Sequence, residues 1–176
     1  MKLPRRARRA ILVVHVATSV SWLGLALGLL ALAVTATTAG SHEVAEASYR
    51  SMKVFTDWLL VPIALLTFGS GTVLSLGTPW GLARHRWVYT KFWMTLVATG
   101  LTVFALRPDV NGATAESIAG QPVTADILVP PCVSLSAYLF MTVISVLKPW
   151  GLTRRGRKQR SAGRKKVDAR ALHPTA

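Results

Sequence analysis

Four long apolar stretches constrain this chain more than anything else in it: 11–34, 58–77, 87–106 and 128–147. Each runs 20 to 24 residues, a helical rise of roughly 30 to 36 Å, enough to cross a hydrocarbon core of about 30 Å. In hydrocarbon every backbone N–H and C=O must be paired within the protein, and a helix does so segment by segment. The period-two alternation of a transmembrane barrel is absent. The expected fold is an all-α integral membrane four-helix bundle: a four-span membrane domain over 1–152, followed by a basic tail over 153–176.

Charge sets the expected topology. Eighteen of the 21 Lys and Arg flank the same side of the stretches: Lys2 to Arg9, the Arg84–Arg86–Lys91 group, and Lys148 to Arg170. Only Arg50, Lys53 and Arg107 fall on the other side. Acids sort oppositely, with Glu43, Glu46, Asp57, Asp109, Glu116 and Asp126 away from the basic side and Asp168 alone on it. The positive-inside bias then puts both termini in the cytoplasm of a cell (plasma) membrane protein. The first stretch has a basic start and a small-residue exit, yet it is far longer than a signal-peptide core of about 7 to 15 residues, so it reads as a retained span.

A formal net charge of +14 invites a nucleic-acid partner, but most of it is the topogenic signal. The tail carries nine Lys and Arg with few large apolar residues, and it is expected to be disordered against anionic lipids of the inner leaflet. No aromatic follows Trp150 on which a base could stack, so no nucleic acid is expected. Cys132 is the only cysteine, which excludes an internal disulfide and a cysteine metal cage.

One self-similarity stands out. Residues 72–84 align with 142–154 at an offset of 70 without a gap, sharing Thr-Val, a Ser three residues on, Pro-Trp-Gly-Leu and a closing Arg. Pro79 and Pro149 stop a helix, Gly81 and Gly151 permit the turn, and Trp80 and Trp150 suit the headgroup level. Either the chain holds two duplicated helical hairpins, or one stop signal is used twice.

Polar groups inside the stretches are few. On the first, Gly24 and Gly28 form a GxxxG pair with Ala17, Ser21 and Ala31 on one face. This marks a helix-packing face within the bundle, one that Gly69-Ser70-Gly71 of the second stretch can meet. His15, Ser19, Trp22 and Ala26 share another face. An ionisable residue at that depth is a functional candidate, and His ligates metals and haem. The bland alternative has His15 bonded to a Ser, Thr or carbonyl of a neighbouring helix. His85, near the start of the third stretch, is the other histidine from which a shallow haem or copper site would be built. Lys91 lies among Tyr89, Phe92 and Trp93 and reads as a snorkelling lysine. Asp57 sits at the far edge of the second stretch; with His15 and Lys91 it makes the short list for a proton or ion path. Pro62 should loosen or kink its helix. Residues 35–55 read as a short helix continuing into the second stretch, and Asn111-Gly112 reads as a turn. No nucleophile elbow, phosphate loop or zinc motif occurs.

The pattern His15-x6-Trp22-x-Gly24, with Trp87-x3-Lys91 and the repeated Pro-Trp-Gly-Leu exits, resembles a family of small uncharacterised integral membrane proteins of actinobacterial type. It is distantly similar to the membrane domains of copper-resistance proteins. That resemblance implies a helical membrane fold and a candidate position at His15, but no activity. The combined expectation is a non-enzymatic accessory or structural membrane component with a possible membrane-protein partner. A small transporter or ion-coupled carrier, and a haem or copper redox protein, stand as alternatives.

Overall fold

The computed structural model describes residues 3–77, 85–147, 151–154, 157, 158 and 161. Most of the repeated exit signals (Pro79, Trp80, Gly81, Arg84, Pro149, Trp150) and most of the tail lie outside the described residues. Four helices account for nearly everything else: α1 (Arg5–Thr38), α2 (His42–Gly77), α3 (Arg86–Ile118) and α4 (Ala125–Leu147). All four are long and apolar enough to cross a membrane. They run up and down in ring order, each touching its sequence neighbours and α4 closing back on α1. We call the end where α1 begins the basic end and the opposite one the acidic end.

Local chemistry explains the helix limits. Pro4, extended at φ −61° and ψ 150°, precedes α1, where its missing N–H costs nothing. The Ser41 hydroxyl accepts from the Val44 N–H at 3.4 Å and caps α2. Helix α3 stops at Gly120, whose φ of +71° suits a residue without a Cβ.

Two helices change pitch at matching levels. α2 widens to a π-helical segment at Phe55–Leu60 and α3 does so at Thr102–Leu106. Each segment ends two residues before a proline, Pro62 or Pro108. A proline lacks the N–H for the usual bond and its ring presses on the carbonyl four residues back; widening the preceding turn relieves that pressure. In α3 the Arg107 N–H reaches the Thr102 carbonyl, five residues back. Thus Pro62 loosens α2 as expected, without breaking it.

The Asn111-Gly112 turn expected from sequence is not formed: both residues lie within α3, which runs to Ile118. Burial of Val110, Ala113, Thr114 and Ser117 holds that segment helical. Tyr49 and Met52 of α2 are buried as well, and the Thr114 hydroxyl, at 3.2 Å from the Tyr49 carbonyl, ties the two helices. Packing has outweighed a local preference.

The core is concentrated toward the acidic end. On α1 the buried positions are Trp22, Ala26, Leu29, Ala33 and Ala36, with none before Trp22. Large apolar side chains cover the outside instead: Trp58 is 76% exposed, Phe104 82% and Val146 73%. A bundle clothed in apolar groups is suited to lipid rather than water.

Candidate functional site

Three polar side chains singled out in the sequence, His15, Lys91 and Asp57, each cross a different helix seam. His15 of α1 reaches α2, where its Nδ1 lies 3.2 Å from the Thr67 carbonyl and 3.1 Å from the Ser70 hydroxyl. The Ser70 proton is directed at the carbonyls of Leu66 (2.6 Å) and Thr67 (3.2 Å). Nδ1 therefore faces two acceptors and must carry the hydrogen, so in the neutral ring Nε2 keeps its lone pair. Gly71 makes room for the ring: a Cβ there would stand 2.9 Å from His15 Cε1. The His15, Ser19, Trp22, Ala26 face is thus turned into the bundle.

The Gly24–Gly28 expectation needs correction. A Cβ at Gly24 would meet nothing within 4 Å, and one at Gly28 would meet the Phe55 ring at 3.9 Å. Ala17, Ser21, Gly24 and Ala31 are exposed. The physical reason lies in the opposite face: the large side chains of Trp22 and Leu29 take the bundle interior. The tight approach of α1 to α2 runs through His15 and Gly71.

Lys91 of α3 donates to the Ser145 hydroxyl of α4 at 2.6 Å. It lies in the second turn of α3, which starts at the basic end, so it shares that half with His15. Asp57 is elsewhere. Ser70 follows it by 13 residues on α2, about 20 Å along the axis, so the three groups do not form one cluster. Asp57, one residue outside the apolar stretch, accepts from Lys53 at 2.9 Å and from Arg107 of α3 at 2.7 Å. Lys53 also bonds the Asn111 side chain. The hydrogen bond from Lys53, then that from Arg107, holds the Asp57 carboxyl below its ordinary pKa.

The fourth seam, between α1 and α4, is aromatic: Trp22 and Tyr138 have ring centroids 4.8 Å apart. His85 stands before α3, its ring 6.3 Å from that of Trp87 and its backbone bridged to Leu152. The Arg86 N–H bonds the Gly151 carbonyl at 3.4 Å. The chain after α4 thus returns to the start of α3.

Nδ1–H on a carbonyl is the arrangement that commonly steadies a ligating histidine. One nitrogen is not a metal site, however, and among the described residues no three of His, Cys, Asp or Glu come together. The residues around His15 therefore do not fit a copper cage.

Sequence reasoning passed over Thr67, Ser145 and Tyr138. Thr67, Ser70 and Gly71 recur at i, i+3 and i+4, one helical face, and that spacing was the available signal for the partner of His15. Comparison with protein-family models, with curated proteins and with solved structures returned no match to this chain.

Proposed function

We propose that this chain is a non-enzymatic component of the cell membrane, with its basic end and both chain ends on the cytoplasmic side, working through protein contacts in the bilayer. One observation carries the reading: the three ionisable groups His15, Lys91 and Asp57 are each engaged in joining two helices. His15 ties α1 to α2, Lys91 ties α3 to α4, and Asp57 ties α2 to α3. In lipid there is little hydrophobic drive between helices, so such bonds serve assembly of the bundle itself. The distribution of Lys and Arg supports the orientation, and anionic lipid is the natural counterpart of the basic end.

Reconstitution in liposomes tests this. Proton and potassium flux through the protein should equal that of empty vesicles. A flux above background that is lost in Lys91→Ala or Asp57→Asn would make the chain an ion-coupled carrier instead. On the same preparation, visible absorption and metal analysis should show a colourless, copper-free protein. A Soret band or stoichiometric copper, lost in His15→Ala, would put a redox role in its place.

A further inference from the structure

The first two turns of α3 combine charge and aromatic surface on one outward face. Arg86, Tyr89 and Trp93 stand at i, i+3 and i+7, one side of a helix. All three are exposed, Tyr89 at 50% and Trp93 at 48%, and the two rings meet edge to face with centroids 6.2 Å apart. Their neighbours turn elsewhere: Lys91 goes to Ser145 of α4, and Phe92 packs on Phe68 of α2 at 5.5 Å. The chain beyond α4 adds to the charge. The Gly151 carbonyl accepts from the Arg86 N–H and Leu152 is bridged to His85, which holds the exposed Arg154 close to the start of α3. Among the described residues every Asp and Glu lies at the acidic end, so none of those carboxylates neutralises these cations.

We propose that this face binds one anionic glycerophospholipid, its phosphate against Arg86 and Arg154 and an acyl chain along Tyr89 and Trp93. The headgroup layer is roughly 5–8 Å deep on each side of the hydrocarbon. Along a helix, Tyr89 lies about 4.5 Å and Trp93 about 10 Å further in than Arg86. An arginine at the phosphate level therefore puts the phenol among the glycerol oxygens and the indole at the top of the acyl chains, where amphipathic rings belong. The forked donors of arginine match phosphate oxygens. A soluble phosphate would use the cations and leave the rings without a role. The start of α1 is the contrast. Arg5, Arg6, Arg8 and Arg9 are exposed there too, yet no aromatic precedes Trp22, which is buried. Charge without an aromatic ledge attracts the bilayer surface in general; charge above a ledge seats one lipid. This site rests on the membrane placement proposed above and narrows its general attraction for anionic lipid to a single position.

Tryptophan quenching of the full chain in phosphatidylcholine vesicles tests it. The quenchers are phosphatidylglycerol and phosphatidylcholine, each brominated near the top of the acyl chain. The Trp93 share of the quenching is the difference between wild type and Trp93→Phe. Phosphatidylglycerol should reach half of its full effect at a mole fraction lower by about fivefold for each cation that engages it. Arg86→Gln keeps the backbone N–H that bonds Gly151 and should remove about fivefold of that preference, and Arg154→Gln a similar factor. Arg6→Gln, at the start of α1, should leave it unchanged. Equal titrations of the two lipids, or an equal loss in Arg6→Gln, would overturn the site and leave the membrane placement standing. Quenching of Trp93 by neither lipid would overturn both. A preference abolished by inorganic phosphate in the buffer would make the ligand a soluble anion, and the lipid assignment would fall.

Discussion

The two ends of the bundle are held together differently. At the acidic end, Tyr49 and Met52 of α2 and Val110, Ala113 and Thr114 of α3 are buried against one another and α1. At the basic end few side chains are buried, and the helices meet through His15 on Ser70 and Gly71 and through Lys91 on Ser145. On the membrane placement proposed above, the difference follows from the solvent around each half. Where helices reach into water, burying apolar surface at about 25 cal/mol per Å² is favourable. Lipid tails are as apolar as leucine, so helices there gain from close approach and interhelical hydrogen bonds instead. The exposed valines and leucines of the four helices suit such a medium.

The largest effect should come from the acidic-end core. Met52, 0% exposed, should lose about 2–5 kcal/mol of stability on Met52→Ala, the range for a buried truncation that leaves a cavity. Leu66→Ala lies on the same helix but at a position 54% exposed, and should stay within about 0.5 kcal/mol of the wild type. Chemical or thermal unfolding in detergent compares them. Equal losses would erase the contrast between the halves.

Two glycines probe the basic end more finely. In an open helical position Gly→Ala gains up to about 1 kcal/mol, and Gly24, with nothing near a new Cβ, should show that gain. Gly71→Ala should instead lose about 1–2 kcal/mol, because the methyl presses on the His15 ring and overpacking outweighs propensity. In a His15→Ala background the loss at Gly71 should disappear. If it persists, the ring is not what Gly71 accommodates.

Much of the fold was legible because lipid imposes a plain rule. Long apolar runs in lipid must be helices, and four helices long and apolar enough to cross a membrane contain the four apolar stretches; the continuation of α2 back to His42 follows from its helix-favouring residues. What was not legible depended on neighbours. Asn111-Gly112 has turn character on its own, but packing of Val110 and Thr114 on α2 keeps it helical. The GxxxG spacing shows that α1 has a small-residue face without showing which way it turns. That is decided by where Trp22 and Leu29 find room. Of the candidate site, His15 was visible from its depth alone, whereas its partners required the register between two helices, and a single span carries no such information.

The smallest effects should separate the two kinds of polar contact. Asp57 is 18% exposed with partners 44% and 49% exposed, so screening limits it: Asp57→Asn should lose only about 0.5–1 kcal/mol, and less in 1 M salt. Its pKa is lowered on folding, first by Lys53 and then by Arg107. The contribution is therefore complete above the ordinary carboxylate value of about 3.9 and disappears as the pH falls through the lower folded value. Unfolding curves of wild type and Asp57→Asn should differ by a constant amount from pH 7 to 5 and converge below about pH 4. On the proposed membrane placement, Lys91 and Ser145 lie where salt has little access. A Lys91→Met, Ser145→Ala double-mutant cycle should show a coupling of about 0.6 kcal/mol, the same at low and high salt. Coupling that fades with salt as Asp57 does would mean that water reaches the basic-end seam, and the two halves would then differ in packing density but not in the medium around their polar contacts.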